Sequence, residues 1–64
     1  MVAVVVGSFR SVDGLWRVVV LRERGQQWCR LYREGQIVQD NLVIGTLDYY
    51  LHKYGLDWAD LVEE

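Results

Sequence analysis

The pattern of apolar and polar positions predicts a sheet built from consecutive hairpins. Apolar and β-branched residues fill four short runs, at about residues 2–12, 15–23, 26–33 and 36–39. The runs are separated by Asp13-Gly14, Arg24-Gly25 and Glu34-Gly35, and Gly at such positions favours the tight turn of a hairpin. Consecutive hairpins place neighbouring strands antiparallel. We therefore expect a three- to four-stranded antiparallel β-meander over about residues 2–44.

A helical pattern follows over about residues 46–63. Apolar and aromatic side chains recur at the spacing of one helix face, at Leu47, Tyr50, Leu51 and Tyr54. Thr46 is a candidate N-cap, Gly55 can end the helix in the left-handed conformation, and Asp57 can cap a second short helix. The expected fold class is α+β in one small domain, residues 1–64, with one or two short C-terminal helices packed on one face of the sheet.

Two-residue turns would fix the register of the strands and sort their side chains onto two faces. If Asp13-Gly14 is such a turn, Arg10 lies opposite Arg17, and Val6 lies opposite Leu21. One face then collects mostly apolar side chains: Val5, Phe9, Trp16, Val18, Val20, Cys29 and Leu31. We expect the helices to pack on this face, which leaves the other face of the sheet open.

The other face combines apolar side chains with arginines and large aromatics, whereas a sheet face exposed to water is normally polar. Its apolar part predicts a dimer contact through Val4, Val6, Val19 and Leu21. The rest predicts a surface for a protein partner or a nucleic acid, made of Arg10, Arg17, Trp28, Arg30 and Tyr32. This face is therefore the candidate functional surface. The apolar run Val2–Val6 is expected at the edge of the sheet, where it offers a second route to a dimer.

Charge is distributed unevenly along the chain. Residues 1–35 contain six arginines and three acidic residues, a net charge of +3, whereas residues 36–64 contain one lysine and six acidic residues, a net charge of −5. The sheet is thus basic and the C-terminal part acidic. The overall charge of −2 opposes long-range attraction to a polyanion.

The totals favour a small non-catalytic interaction module, with a homodimer as the first expectation. A chain of 64 residues buries only about 60% of its unfolded surface, so a second subunit would supply core that the single chain lacks. Arginine and the large aromatic residues are also enriched at the energetic centres of protein interfaces. The partner is therefore expected to be a second copy, another protein, or both.

A DNA-binding protein that uses the same face is the alternative function. Arginines can pair with phosphates, and aromatic rings can stack on bases. The five residues Ile44-Gly45-Thr46-Leu47-Asp48 resemble the Gly-Thr-aromatic-Asp step that leads from a strand into the helix of the plant AP2 type of domain. Those domains read DNA with a three-stranded sheet and a packed helix, so the resemblance implies DNA contact through the sheet face.

The sequence offers few residues for catalysis or metal binding. One cysteine, Cys29, and one histidine, His52, cannot form an internal disulfide or a structural zinc site. A nucleophile pair of these two residues would require the thiol to leave the core face. We expect no enzymatic activity and no cofactor. The run Val2–Val6 is too short for a secretory or membrane-spanning segment, so we expect a cytoplasmic protein that does not associate with membranes.

Overall fold

The computed structural model describes residues 3–64, in which a five-stranded antiparallel sheet is accompanied by one α-helix. The strands are β1 (Val4–Ser11), β2 (Trp16–Glu23), β3 (Gln26–Arg33), β4 (Gln36–Leu42) and β5 (Leu61–Glu63). Between β4 and β5 lie α1 (Ile44–Lys53) and a 3-10 turn at Trp58–Asp60. The α+β class is confirmed, whereas the expected strand count was too low. The predicted strand start at residue 2 lies outside the described residues.

The β2–β3 and β3–β4 hairpins have the turns that their sequences predict. Arg24 and Gly25 have φ values of 54° and 80°, and Glu34 and Gly35 have φ values of 52° and 82°. Positive φ at both central residues defines the type I′ turn, whose twist matches that of the flanking strands. A two-residue turn at Arg24-Gly25 places Leu21 opposite Trp28, and β2 and β3 pair in this register over their whole length.

The β1–β2 connection is longer than the predicted two-residue turn. β1 ends at Ser11 and β2 begins at Trp16, and the Gly14 N–H donates to the Ser11 carbonyl at 2.9 Å. The buried Ser11 hydroxyl accepts the Trp16 backbone N–H at 2.9 Å, so its side chain closes the loop. The strand register nevertheless remains as predicted next to the turn, with Arg10 opposite Arg17.

A β-bulge in β1 makes the predicted register wrong at the start of the strand. Val5 lies opposite Leu21 and Gly7 lies opposite Val20, so Val6 is the extra residue. Glycine in a strand commonly marks such a bulge. Val5 therefore lies on the open side of the sheet and not on the helix side. Val4 lies opposite Arg22, so Val4 and Leu21 lie on different faces of the sheet. The dimer-contact prediction required them to share a face.

The predicted second C-terminal helix is wrong, because the chain forms a single 3-10 turn followed by β5. Asp57 caps this turn as expected and forms a capping box with Asp60, but a helix this short gains few hydrogen bonds for the residues it orders. The next residues instead pair antiparallel with β1, where Leu61 lies opposite Ser11. The prediction that β1 forms the sheet edge is also wrong in part, since the order is β4-β3-β2-β1-β5.

α1 begins two residues before the predicted start and ends where predicted. Its first residue is Ile44, and the Thr46 hydroxyl donates to a backbone carbonyl instead of capping the helix. At the other end Gly55 has a φ of 78°, and the Leu56 N–H donates to the Leu51 carbonyl at 2.8 Å, which is the Schellman arrangement. Within residues 3–64 no helix is both long and apolar enough to cross a membrane.

The core lies between α1 and one face of the sheet. Its buried members are Trp16, Val18, Cys29, Leu31, Leu42, Leu47, Leu51 and Leu56. These eight residues belong to β2, β3, β4, α1 and the residue that follows the helix stop. Phe9 of β1 and Leu61 of β5 are only partly buried against them. Neither β1 nor β5 therefore contributes a fully buried side chain to this cluster.

Candidate interaction face

The face of the sheet that points away from α1 is concave, and we call it the open face. It contains a solvent-open depression of about 620 Å³ whose lining includes Val5, Arg10, Leu15, Arg17, Arg30 and Tyr32. These side chains come from β1, β2, β3 and the turn after β1. The alternation of side chains along antiparallel strands therefore brings the predicted arginines and Tyr32 together on one surface.

Two residues of the predicted dimer contact are buried within the chain itself. Val19 is 9% exposed and Leu21 is 6% exposed. Val19 lies opposite Arg30, and Leu21 lies opposite both Val5 and Trp28. Each of these three neighbours is larger or more exposed than the buried residue that it faces. The apolar side chains that remain exposed on the open face are Val5, Leu15, Ile37 and Val62. These four residues, and not Val19 or Leu21, are available for contact with a partner.

The tryptophans lie on the faces that the sequence predicts. Trp16 is 8% exposed in the core, where its ring centroid is 5.2 Å from that of Tyr54. Trp28 lies opposite Leu21 on the open face and is half-buried. Tyr32 is also half-buried and lies opposite Arg17 and Ile37. The open face therefore carries two partly exposed aromatic rings.

Arg10 and Arg17 lie opposite each other and share one carboxylate, that of Glu64. Glu64 Oε1 lies 3.1 Å from Arg17 Nη2 and 3.9 Å from Arg10 Nε. The Ser8 hydroxyl donates to Glu64 Oε2 at 2.7 Å. Like charges directly opposite on two strands are destabilising, and the carboxylate relieves that repulsion. The counter-charge comes from the same chain, because β5 brings Glu64 to β1.

Arg30 has its own carboxylate on the neighbouring strand. Arg30 Nε lies 2.9 Å from Asp40 Oδ1, and Arg30 Nη1 donates to the Tyr32 hydroxyl at 3.4 Å. The hydrogen bond with Asp40 raises the pKa of Arg30 and lowers the pKa of Asp40. Exposed pairs of this kind contribute only about 0–1 kcal/mol each. Together with Glu64, Asp40 reduces the positive charge of the open face, where two carboxylates lie beside three arginines.

The environment of Glu64 predicts a measurable shift in its titration. The hydrogen bond from Ser8, and then the charge of Arg17, hold its pKa below the ordinary value of 4.5. Because the pKa is lower in the folded chain than in the unfolded one, Glu64 stabilises the fold above the unfolded pKa. This stabilisation is lost as the pH falls through the folded value.

We expect NMR titration of the Glu64 carboxyl group to show this lowered pKa in the unmodified chain. Ser8→Ala and Arg17→Ala should each move the pKa toward 4.5. Arg24→Ala is the matched control, because Arg24 lies in the β2–β3 turn and makes no ion pair with Glu64. A Glu64 pKa at or above 4.5 in the unmodified chain would contradict the described contact.

The positions of Cys29 and His52 give no support to a nucleophile pair. Cys29 is fully buried, and desolvation raises the pKa of its thiol, whereas a reactive cysteine needs a lowered pKa. His52 is exposed on α1, with Nδ1 3.8 Å from the Asp48 carboxylate. Within residues 3–64, no group of three or more His, Cys, Asp or Glu side chains is placed to hold a metal ion.

The segment that resembles the AP2 type of domain, Ile44 to Asp48, forms the first half of α1. Its side chains therefore belong to the helix and do not line the open face. Comparisons with protein-family models, with curated proteins and with solved structures find no match to this chain.

Proposed function

We propose that this chain is a small non-catalytic interaction module that forms a homodimer through the open face. The observation that carries the proposal is the set of apolar side chains exposed there beside two half-buried aromatic rings: Val5, Leu15, Ile37 and Val62, with Trp28 and Tyr32. Exposed apolar clusters on small proteins mark interaction sites. Burying this set against a second copy would enlarge a core that is thin in a 64-residue chain.

The ion pairs of the open face support a protein interface. Arg10, Arg17 and Arg30 each have a carboxylate oxygen within 3.9 Å in the single chain. Burial of an unpaired charge is costly, whereas a pair that already exists can be covered with less penalty. The concave face can therefore be buried against a partner with each of these arginines in contact with a carboxylate, and two of them share the carboxylate of Glu64. A two-fold symmetric dimer brings the same face of both copies together.

Nucleic-acid binding has less support from the same contacts. A phosphate would have to compete with Glu64 at Arg10 and Arg17, and with Asp40 at Arg30. The net charge of −2 adds no long-range attraction to DNA or RNA. Contacts to phosphates release counterions, so true binding would weaken steeply with added salt. Tight and steeply salt-dependent binding of a DNA duplex would reverse this ranking.

Trp28→Ala tests the proposed interface. We expect the variant to remain folded and its dimer dissociation constant to rise by about tenfold or more, because tryptophans at interface centres commonly contribute about 2 kcal/mol. Sedimentation velocity over a range of concentrations measures the change, and circular dichroism confirms the fold.

Tyr49→Ala is the matched control, since Tyr49 is an aromatic residue 65% exposed on α1, outside the open face. Its dimer dissociation constant should stay close to that of the unmodified chain. Dimerisation that depends on Tyr49 and not on Trp28 would place the interface on the helix side of the molecule and refute the proposal.

A further inference from the structure

We propose that the outer edge of β1 binds an extended acidic segment of a partner protein, and that β5 occupies part of this site in the free chain. The inference rests on the proposed function in one respect, namely that the partner is a protein. It concerns the edge of the sheet, whereas the dimer contact uses the open face. The two can therefore be tested separately.

β5 covers only the second half of β1. It pairs with Phe9, Arg10 and Ser11, and the Glu64 N–H donates to the Ser8 carbonyl at 2.9 Å. Among residues 3–64, no strand pairs with the outer edge of Val4–Gly7. The valines of this stretch are 44–62% exposed. An uncovered edge of this composition is a template for another strand.

The core does not require β5. None of the eight buried core residues lies in β5, and Leu61 is only partly buried against them. Val62 is 44% exposed, and Glu63 lies on the surface. A three-residue edge strand with these contacts can detach while the packing of α1 on β2, β3 and β4 remains intact. Local opening of such weakly packed elements costs less free energy than global unfolding.

A longer strand would gain more from the edge than β5 does. A segment that runs antiparallel along β1 can replace the pairing of Ser8 to Ser11 and also pair with Val4–Gly7. Backbone hydrogen bonds supply the affinity in this mode of recognition, and side chains on alternate positions supply the specificity. The additional pairing supplies the free energy that allows a partner strand to displace β5.

The contacts of Glu64 define the chemistry of the partner segment. Its carboxylate lies against the Ser8 hydroxyl and the guanidinium groups of Arg10 and Arg17. A partner strand in the same register needs an apolar residue in the place of Leu61 and an acidic residue three positions later. The residues after it would face the exposed valines of β1, so β-branched side chains suit those positions. Complementary charge thus selects an apolar-x-x-acidic segment followed by β-branched residues.

Binding of a labelled synthetic peptide to the full chain tests this inference. The probe is the octapeptide Leu-Val-Glu-Glu-Val-Thr-Val-Thr, and fluorescence anisotropy measures its dissociation constant. Two control peptides separate the contributions: one has Gln at the fourth position, and the other stops after the fourth residue. We expect the Gln peptide to bind about threefold to fivefold more weakly, as the loss of an exposed charge pair predicts. The short peptide should bind at least about tenfold more weakly, because it lacks the added strand pairing.

Variants of the chain show whether the peptide occupies the place of β5. Glu64→Ala weakens the internal competitor and should tighten octapeptide binding by about threefold. Arg17→Ala removes a contact that β5 and the octapeptide both make, so octapeptide binding should change by less than about twofold while the difference between the octapeptide and the Gln peptide shrinks. Arg24→Ala, in the β2–β3 turn, should leave the binding of both peptides unchanged. NMR shifts on binding should fall on Val4–Ser11.

Any of three peptide-binding results would overturn the inference. They are no binding at millimolar peptide by either the unmodified chain or Glu64→Ala, equal binding of all three peptides, and shifts confined to another surface. Stronger self-association of Glu64→Ala without peptide binding would assign the edge to a second copy and would also overturn it. If the peptide fails while dimerisation still depends on Trp28, the edge proposal is wrong and the proposed function stands.

Discussion

Trp16→Ala should lower the free energy of unfolding by about 3–5 kcal/mol, which is a large share of the stability of a small domain. Trp16 is 8% exposed, and its ring lies 5.2 Å from the ring of Tyr54 between centroids. The Arg33 guanidinium lies over the same ring at 5.4 Å. Truncation would remove these contacts and leave a cavity that the surrounding strands and helix can close only in part.

Urea denaturation followed by circular dichroism measures this loss. Trp58→Ala is the matched control, because Trp58 is 42% exposed in the 3-10 turn. It touches the edge of the Phe9 ring, with 6.2 Å between centroids, so its loss should cost clearly less. A mild Trp16→Ala together with an unfolded Trp28→Ala would mean that the two faces of the sheet are exchanged.

Leu51→Ala should lower the free energy of unfolding by about 2–5 kcal/mol. Leu51 has no exposed surface and lies in the part of α1 that packs on the sheet. Its side chain and that of Leu47 are the two buried residues of α1. The loss of either side chain would weaken the packing of α1 on the sheet. Leu51 also lies in the last turn of the helix, where its carbonyl accepts the Leu56 N–H.

Tyr49→Ala serves as the control on the same helix, since Tyr49 is 65% exposed. Its effect on stability should stay within about 0.5 kcal/mol, as for most surface substitutions. Urea midpoints of the two variants, measured at one pH and salt concentration, give the comparison. Equal losses from Leu51→Ala and Tyr49→Ala would contradict the described orientation of α1 on the sheet.

Local sequence signals predicted the parts of the fold that local chemistry determines. Glycine after Arg24 and Glu34 gave two type I′ turns, and the first of these set the register of β2 with β3. Gly55 gave the helix stop for the same reason, because a left-handed residue is required there. The open face followed from alternation along the strands, and this placed Trp28 and Tyr32 correctly.

β5 could not be predicted locally, since its pairing depends on residues about 50 positions earlier in the chain. Leu61 and Val62 fit a short helix face as well as a strand, and three residues show no periodicity that separates the two. The free edge of β1 decides between them. The pairing of Glu64 with Arg17 was missed for the same reason.

The bulge in β1 has one local signal, which is Gly7. The predicted register did not include a bulge, because it treated the pairing of β1 with β2 as continuous. One extra residue moved Val5 from the predicted core face to the open face, because a shift of one position reverses the side of every following residue. The burial of Val19 and Leu21 depends on side chains from neighbouring strands. Alternation assigns a side chain to one face of the sheet, but the burial of that side chain depends on the strands that lie next to it.

Sedimentation equilibrium of the unmodified chain tests the proposed homodimer most directly. At micromolar concentration we expect a mass of twice the 7.5 kDa of the single chain, with a weight-average mass that falls on dilution. The open face would then be the part of the molecule to map by Trp28→Ala. A folded species that stays at 7.5 kDa at every concentration would contradict the homodimer.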